Sequence, residues 1–169
     1  MAVLSGFYCE RICAKALFFY PARDTMSGCE LCHTAGGNLL WRNDLCRVVL
    51  VEGVESLHYP GFCRVILNSH VSEMSELALD MQLQLMQIVV AVEQVIRQCC
   101  RPTKVNLASL GNQVPHLHWH VIPRWESDRC FPNPIWGAVR QESQAGFVAA
   151  PDVTVMVNLL QELLREHES

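Results

Sequence analysis

The residues best suited to chemistry are three histidines that alternate with apolar residues, His116, His118 and His120. Successive side chains of a β-strand point to opposite faces, so a strand here would place the three imidazoles on one face, at steps of roughly 6.6 Å. Imidazole is costly to bury unless its nitrogens find partners, and the flanking residues are apolar, as in a buried sheet. This row of imidazoles therefore favours a functional site over a polar solvent face.

Imidazole has two uses near neutral pH. It can act as a nucleophile or general acid or base, or it can bind a metal ion. As a nucleophile it attacks through one nitrogen while the other keeps its proton on an acceptor, and strand carbonyls supply such acceptors. Three alternating positions span about 13 Å, which is too far for all three histidines to reach one ion. The spacing therefore favours the nucleophile over a metalloenzyme with a three-histidine zinc site, which stays as an alternative.

A second group of reactive residues is Cys29-Glu30-Leu31-Cys32-His33. A Cys-x-x-Cys pair can be half of a zinc site or a redox pair, although the thioredoxin-like βαβ context of a redox pair is not evident here. With His33 it also matches the attachment motif of c-type haem, which requires export, and the N-terminus does not support export well. An accidental pair is the fourth interpretation, and the spacing alone leaves all four open.

Composition limits the classes of protein that this chain can be. At 169 residues one domain is the default, and half of the residues are apolar. The net charge is −4 and there is no run of Lys or Arg, which argues against extended nucleic-acid binding. We expect no membrane span, because no apolar run reaches the roughly 18 to 20 residues that one requires. Nine irregularly spaced cysteines without a convincing signal peptide predict reduced thiols and a cytoplasmic location.

The elements that position these residues follow from hydrophobic periodicity. The pattern predicts a long amphipathic helix from about residue 73 to 98, with Ser72 as its N-cap, and a C-terminal helix over 153–166 capped by Asp152. Residues 52–60 are expected to form a loop. Short β-branched and apolar runs predict five strands, at 38–42, 46–51, 62–67, 104–110 and 116–123.

We divide the chain into three parts. Residues 1–25 are expected to be a poorly ordered extension, with Met26 as the natural start; 26–125 form the main domain, and 126–169 a C-terminal loop and helix. N-terminal sequencing of the native protein tests the start residue, and a sequence beginning near Met1 would refute it.

The segment His-Leu-His-Trp-His-Val-Ile at 116–122 resembles the motif of the histidine triad (HIT) family. The resemblance covers roughly 28–125, including the strand that leads into His70. Members are nucleotidyl hydrolases and transferases that act on the α-phosphate of nucleotides, and small bacterial hydrolases of the diadenosine polyphosphate type look closest. The resemblance implies an α+β fold: an antiparallel sheet of about five strands with a long helix packed on one face and a C-terminal helix.

The resemblance also assigns roles to residues. His118 would attack phosphorus and form a covalent nucleotidyl-histidine, with His120 and His116 completing the catalytic set. Arg124 and Trp125 lie just past the triad, where they could line the mouth of the site. The residues expected to bind substrate are Asn106, Gln113, the weaker candidate Asn112 and, on the ribose, Glu52; Leu40, Val49 and Val51 would form the base pocket. Asn106 has a second interpretation as a polar residue that pairs with backbone at a strand edge.

One branch of the family holds a zinc ion through a Cys pair, an upstream His and the first triad His. The counterparts here are Cys29, Cys32, His70 and His116. Two thiolates and two imidazoles form a closed set, which is the structural type of zinc site, so no cofactor is needed for the chemistry. The resemblance further implies a small nucleotide as substrate and a homodimer. A nucleotide-binding or scaffold protein with vestigial hydrolysis remains the alternative function.

Overall fold

The computed structural model describes residues 28–140 and 148–165. Its centre is a five-stranded antiparallel sheet in the order β1-β2-β3-β5-β4. The strands are β1 (Asn38–Arg42), β2 (Cys46–Leu50), β3 (Cys63–Leu67), β4 (Lys104–Ala108) and β5 (His118–Arg124); the helices are α1 (Glu30–His33), α2 (Val54–His58), α3 (Leu79–Cys100) and α4 (Val153–Arg165). The predicted α+β class and five-stranded sheet are confirmed. β5 begins at His118, so the predicted strand start at His116 is wrong by two residues.

The two faces of β5 differ in chemistry, as the alternation in its sequence predicts. Trp119 and Val121 belong to the main core, which α3 covers. His118 and His120 point to the opposite face, and Ile122 on that face joins a smaller apolar cluster with Phe62. The alternation therefore separates the packing side of β5 from its imidazole side.

Helix α3 is the core helix of the fold. Its buried residues recur at three- and four-residue steps and pack against the sheet. The helix is also long and apolar enough to match a membrane span by length and composition alone. Its exposed face carries charged residues such as Asp80 and Arg97, and its apolar face lies on the sheet. The buried residues are Leu85, Ile88, Val89, Ala91, Val92, Val95 and Ile96.

The start of α3 differs from the prediction. The Ser72 hydroxyl donates a hydrogen bond to the carbonyl of Pro115, so it caps no helix. A 3₁₀ turn over Met74–Glu76 follows, and α3 begins only at Leu79 with Ala78 at its N-cap position. A long-range contact with the segment before β5 therefore overrides the local capping preference of serine.

Helix α4 agrees with the prediction. The Asp152 carboxylate accepts hydrogen bonds from the backbone N–H groups of Thr154 and Val155, which is the expected N-cap. Met156 and Leu160 are fully buried in the main core, where α4 packs on α3 and β1. The expected loop over 52–60 is partly wrong, because it contains α2. The expected extension over 1–25 lies outside the described residues.

Candidate active site

The pairing of β3 with β5 assembles the imidazole face. In this antiparallel register His120 lies opposite Arg64, and His118 lies opposite Ile66. Residues paired across antiparallel strands share a face, so the Arg64 side chain lies beside the imidazoles. This contact joins positions 56 residues apart in the chain, which is why periodicity within one strand does not reveal it.

His118 is held in one tautomer and orientation. Its Nδ1 lies 2.6 Å from the carbonyl oxygen of His116. A carbonyl only accepts, so Nδ1 carries the proton and donates it, and the lone pair of Nε2 stays available. Burial lowers the pKa of His118 below its ordinary value, and the charge of Arg64 lowers it further, against the opposing effect of this hydrogen bond. A neutral imidazole with a free Nε2 is the form that attacks an electrophile.

His120 lies in an aromatic and apolar environment. Its ring centroid is 4.6 Å from that of His118, 5.0 Å from that of Trp136 and 5.7 Å from that of Phe62. Its Nδ1 is buried without a hydrogen-bond partner among the described residues. Burial lowers its pKa to about 3, with contributions from the neighbouring His118 and Arg64. His120 is therefore neutral at pH 7 and has unused hydrogen-bonding capacity.

Arg64 and Glu55 form an ion pair at the edge of this face. The Arg64 Nη2 donates to the Glu55 Oε2 at 3.2 Å, and the indole Nε1 of Trp136 donates to the Glu55 Oε1 at 2.9 Å. The Arg64 guanidinium carbon also lies 5.7 Å from the ring centroid of Phe62. Glu55 thus joins α2, β3 and the loop after β5 beside the triad.

The predicted zinc ligands come together at the other end of the triad. The donor atoms of Cys29, Cys32, His70 and His116 all lie within 4.8 Å of one another. The Nδ1 of His116 is 3.4 Å from the Sγ of Cys29 and 3.5 Å from that of Cys32, and the Nδ1 of His70 is 3.3 Å from the Cys32 Sγ. His118 and His120 are not members of this cluster. The described residues therefore do not form the alternative arrangement, in which all three triad histidines bind one zinc ion.

Backbone pairing brings the four ligands together. The N–H of Leu117 donates to the carbonyl of Val71 at 2.6 Å, which holds the segment after β3 against the segment before β5. The Arg47 guanidinium fixes the α1 turn, because its Nη2 donates to the carbonyl of Leu31 at 2.6 Å and its Nε to that of Ala35 at 3.0 Å. At Gly36 a Cβ would lie 2.7 Å from the Ile66 side chain, so glycine allows this close approach.

The cluster fits a tetrahedral metal ion. Zinc bonds of about 2.3 Å to sulfur and 2.0 Å to nitrogen put the two ligand atoms about 3.5 Å apart in a tetrahedron. The observed sulfur–nitrogen distances of 3.3 to 3.5 Å match that separation. The Nε2 of His116 lies 2.7 Å from the carbonyl of Leu67, which leaves Nδ1 for the metal. This geometry favours the metal-site interpretation of the Cys pair over redox chemistry or haem attachment.

Comparison with known proteins decides the family. The HIT domain model matches residues 37–127, more than half of the chain. The chain belongs to the HIT family. Two solved HIT structures illustrate the likeness. A histidine triad protein of Bradyrhizobium japonicum has a TM-score of 0.55 at 28% identity, and one of Marinobacter aquaeolei has 0.56 at 26%. The matches cover 76% and 78% of this chain, and 90% and 91% of those chains.

A curated relative adds information on activity. The AP-4-A phosphorylase of Mycobacterium tuberculosis is 32% identical over 102 residues, 56% of this chain and 52% of the relative. The chain therefore spans about half the length of the curated relative that it matches.

In this HIT protein Asn106 lies on the imidazole face of β4, opposite Ile122. Its side-chain oxygen accepts a hydrogen bond of 2.7 Å from the Nη1 of Arg124, which turns the amide nitrogen away from that arginine. Asn106 also lines a groove of about 560 Å³ together with Ala108, Ile122 and Trp136. The groove runs along β4 as far as Glu93 of α3, and no histidine is among the described residues that line it, so it lies beside the triad rather than over it. The second interpretation, in which Asn106 pairs with backbone at a strand edge, is wrong, because its side-chain oxygen pairs with the Arg124 side chain.

Arg124 does not line the mouth of the site. It is 1% exposed and forms a buried ion pair with Asp128, with Nε donating to Oδ2 at 2.7 Å and Nη2 to Oδ1 at 3.0 Å. Its Nη2 also donates to the backbone carbonyl of Asn133 at 2.8 Å. Arg124 therefore positions Asn106 and the loop after β5, while Trp125 beside it is half-buried.

The other predicted substrate residues are exposed. Glu52 follows β2, and Asn112 and Gln113 lie in the loop between β4 and β5. None of the contacts found among the described residues joins these three side chains to the imidazoles. Their roles in substrate binding stay predictions.

The base-pocket prediction is partly wrong. Leu40 belongs to the main core on the helix side of the sheet, whereas Val49 and Val51 lie on the imidazole side. The register of β1 shifts between Leu39 and Trp41, so Leu39 lies opposite Val49 and faces the imidazole side. Because a β-bulge adds one residue to a strand, the residues beyond it face the opposite side of the sheet from the one that regular alternation predicts.

Sequence reasoning missed Arg64, Glu55 and Trp136 beside the triad. A charged residue within the apolar run 62–67 was the available signal for Arg64. No comparable signal pointed to the other two, because their contacts depend on the packing of α2 and of the loop after β5.

Proposed function

We propose that this HIT protein cleaves nucleotides at the α-phosphate through a covalent nucleotidyl intermediate on His118. The observation that carries the proposal is the 2.6 Å hydrogen bond from His118 Nδ1 to the carbonyl of His116, which presents Nε2 as the nucleophile. The substrates are dinucleoside polyphosphates, in which phosphorus carries a phosphate leaving group, or nucleoside phosphoramidates, in which the leaving nitrogen takes up a proton as its bond to phosphorus breaks.

The reaction proceeds in two displacements. His118 Nε2 forms a bond to the α-phosphorus while the bond to the leaving group breaks, and the leaving group takes the bonding electrons. An acceptor oxygen then attacks phosphorus, the nitrogen–phosphorus bond breaks, and the acceptor loses its proton. His120 donates a hydrogen bond to a phosphate oxygen on which charge develops. Asn106, oriented by Arg124, offers its amide N–H groups to the same phosphate or to the ribose.

The acceptor is water in hydrolysis and inorganic phosphate in phosphorolysis. The printed name of the mycobacterial relative, a phosphorylase, favours testing both. With an adenosine substrate, attack by water yields AMP and attack by phosphate yields ADP. Product analysis with and without inorganic phosphate therefore assigns the acceptor.

We further propose that Cys29, Cys32, His70 and His116 hold a structural zinc ion. When bound, zinc neutralises the two thiolates and holds α1 to the segments flanking β3 and β5. The chemistry at phosphorus does not pass through it, because His116 offers Nδ1 to this cluster and its carbonyl to His118.

The test of the function compares wild type with His118→Ala on diadenosine tetraphosphate and adenosine phosphoramidate. Removal of the nucleophile is expected to lower turnover by on the order of 10³-fold or more, while circular dichroism stays that of the folded protein. Turnover of both substrates by His118→Ala at the wild-type rate would refute the proposal. Nucleotide binding without turnover by the wild type would favour the nucleotide-binding or scaffold alternative.

We also infer a homodimer and a cytoplasmic location. Strands β1 and β4 are the two edges of the sheet, and β4 leaves Leu107 exposed, with Leu110 exposed in the loop that follows. An exposed edge strand with apolar residues is suited to pairing with a second copy. Sedimentation equilibrium should give twice the mass of one chain, and a monomer at micromolar concentration would contradict the inference.

Fractionation of cells tests the cytoplasmic location, and recovery of the protein in a membrane or secreted fraction would contradict it.

A further inference from the structure

Arg64 is a charged residue in an otherwise apolar strand, and it faces the triad. The other residues of β3, Cys63, Val65, Ile66 and Leu67, are all buried. About a quarter of the Arg64 side-chain surface is exposed. Its position opposite His120 places a permanent positive charge beside the imidazoles. Neither the triad geometry nor the metal cluster uses this charge.

Two polar groups on this face lack partners. The Nε of Arg64 and the Nδ1 of His120 are buried, and neither makes a hydrogen bond among the described residues. A buried polar group without a partner is costly, so such groups mark places where a ligand completes the hydrogen bonding. Because the two residues are cross-strand neighbours, adjacent phosphates of one polyphosphate can contact His120 and Arg64 in turn.

The ion pair with Glu55 leaves this capacity free. Glu55 accepts from the Arg64 Nη2 and from Trp136, and no contact with the carboxylate is found for the Arg64 Nε. Guanidinium is a planar fork with five donors, so it can keep one partner while it binds a phosphate with its other edge. The pair holds Arg64 in place beside the site.

The register indicates which phosphate Arg64 contacts. The nucleophile His118 lies opposite Ile66, and Arg64 lies one same-face step further along β5, opposite His120. One step is roughly 6.6 Å along the strand. If the polyphosphate runs along β5 from His118 toward His120, the phosphates that follow the α-phosphate lie beside Arg64, and this direction is part of the inference.

We propose that Arg64 is a substrate-binding residue that contacts the leaving phosphates and selects substrates with an anionic leaving group. This inference rests on the proposed function and deepens it. When the bond from phosphorus to the bridging oxygen breaks, the electron pair stays on that oxygen, and the guanidinium stabilises the new charge. An amine leaving group instead needs a proton, which a permanently charged guanidinium does not supply. Dinucleoside polyphosphates and nucleoside triphosphates are therefore preferred over phosphoramidates.

The test measures kcat/KM for diadenosine tetraphosphate and for adenosine phosphoramidate in wild type and Arg64→Met. Loss of hydrogen bonds from a charged donor is expected to lower kcat/KM for the polyphosphate by roughly 30-fold or more. The loss for the phosphoramidate should be at least about tenfold smaller. Arg42→Met removes an exposed arginine of β1 and is the matched control for lost charge. Equal losses for the two substrates in Arg64→Met would overturn the proposal.

Two further variants separate substrate binding from a structural ion pair. Glu55→Gln breaks the ion pair but keeps the guanidinium, so this variant should retain the preference for the polyphosphate. Arg64→Lys keeps the positive charge, so it should show more of that preference than Arg64→Met does. If Glu55→Gln and Arg64→Met lose the preference alike, Arg64 acts only through the ion pair and the proposal is wrong.

A binding measurement separates this proposal from the proposed function. In a His118→Ala background, titration with ATP and AMP reports binding without turnover. Arg64→Met should weaken ATP binding by roughly tenfold or more and AMP binding by much less. Equal weakening of ATP and AMP overturns the role of Arg64 even if the wild type is active. An inactive wild type refutes the enzyme but leaves this difference in affinity measurable.

Discussion

His118 and His120 share a face of β5, His116 lies just before the strand, and the three histidines differ in their environments. His116 offers Nδ1 to the metal cluster, His118 donates Nδ1–H to the His116 carbonyl, and His120 lies among Phe62 and Trp136. These partners are the basis on which we propose a metal ligand, a nucleophile and a neutral donor for three residues of one type. The division of roles depends on neighbours that alternation within the strand does not identify.

The low pKa of His120 predicts a pH dependence of stability. The unfolded chain protonates this histidine near pH 6.5, whereas the folded protein keeps it neutral down to about pH 3. Below pH 6.5 the unfolded state therefore binds more protons, and the free energy of unfolding falls as pH falls. From pH 6.5 to 5 the loss due to His120 is about 1.6 kcal/mol.

Urea unfolding of wild type and His120→Asn at several pH values measures this contribution. The difference in unfolding free energy between the two proteins should change over pH 5 to 6.5 and be constant above pH 7.5. A difference that stays constant across the whole range would show that the histidine titrates alike in both states.

Prediction from sequence placed correctly the residues that local spacing or the family motif fixes. His118 and His120 share a face of β5, and the four candidate metal ligands lie together. Arg64 was missed because its place beside the triad depends on the pairing of β3 with β5, and these strands are separated in the chain by α3. Leu40 was assigned to the wrong face because a bulge in β1 cannot be deduced from an apolar run of five residues.

At the scale of elements, the loop after β5 is held by a buried ion pair. Asp128 accepts two hydrogen bonds from Arg124 and further ones from the backbone N–H groups of Cys130 and Phe131. These contacts keep the pKa of the Asp128 carboxyl below its usual value, despite the opposing effect of burial. The loop in turn carries Trp136 over His120.

Asp128→Ala should therefore be strongly destabilising. It leaves the Arg124 charge buried without its partner, which typically costs about 3–5 kcal/mol. Thermal or urea unfolding measures the loss, with Glu162→Ala on the exposed face of α4 as the control. The account of this loop fails if Asp128→Ala costs less than about 1 kcal/mol.

Elements with strong periodicity were predicted closely, and irregular ones were not. β1 and the start of α4 lie where the pattern placed them. α2 was missed because its five residues carry no helical period of buried positions. The start of α3 was wrong because Ser72 bonds to Pro115, a partner that only tertiary structure supplies.

For the whole molecule, the metal cluster joins the N-terminal turn to the centre of the sheet. We expect about one zinc ion per folded chain by elemental analysis, and a lower unfolding temperature after removal with a chelator. Loss of activity should follow loss of structure rather than precede it, because the metal is away from the reacting phosphorus.

Cys32→Ser should lower the zinc content and the unfolding temperature together, because it removes one ligand of the cluster. Cys99→Ser, at a half-buried position of α3 outside the cluster, is the matched control. Zinc content that is unchanged in Cys32→Ser would contradict the assignment of the ligands.

The most direct test of the central claim is to trap the intermediate. Adenosine substrate labelled at the α-phosphate is mixed with excess protein, quenched in alkali within one turnover and separated by denaturing electrophoresis. We predict label on wild-type protein, located by peptide mapping at His118, and none on His118→Ala. Rapid product formation without labelled protein, or label on another residue, would contradict His118 as the nucleophile.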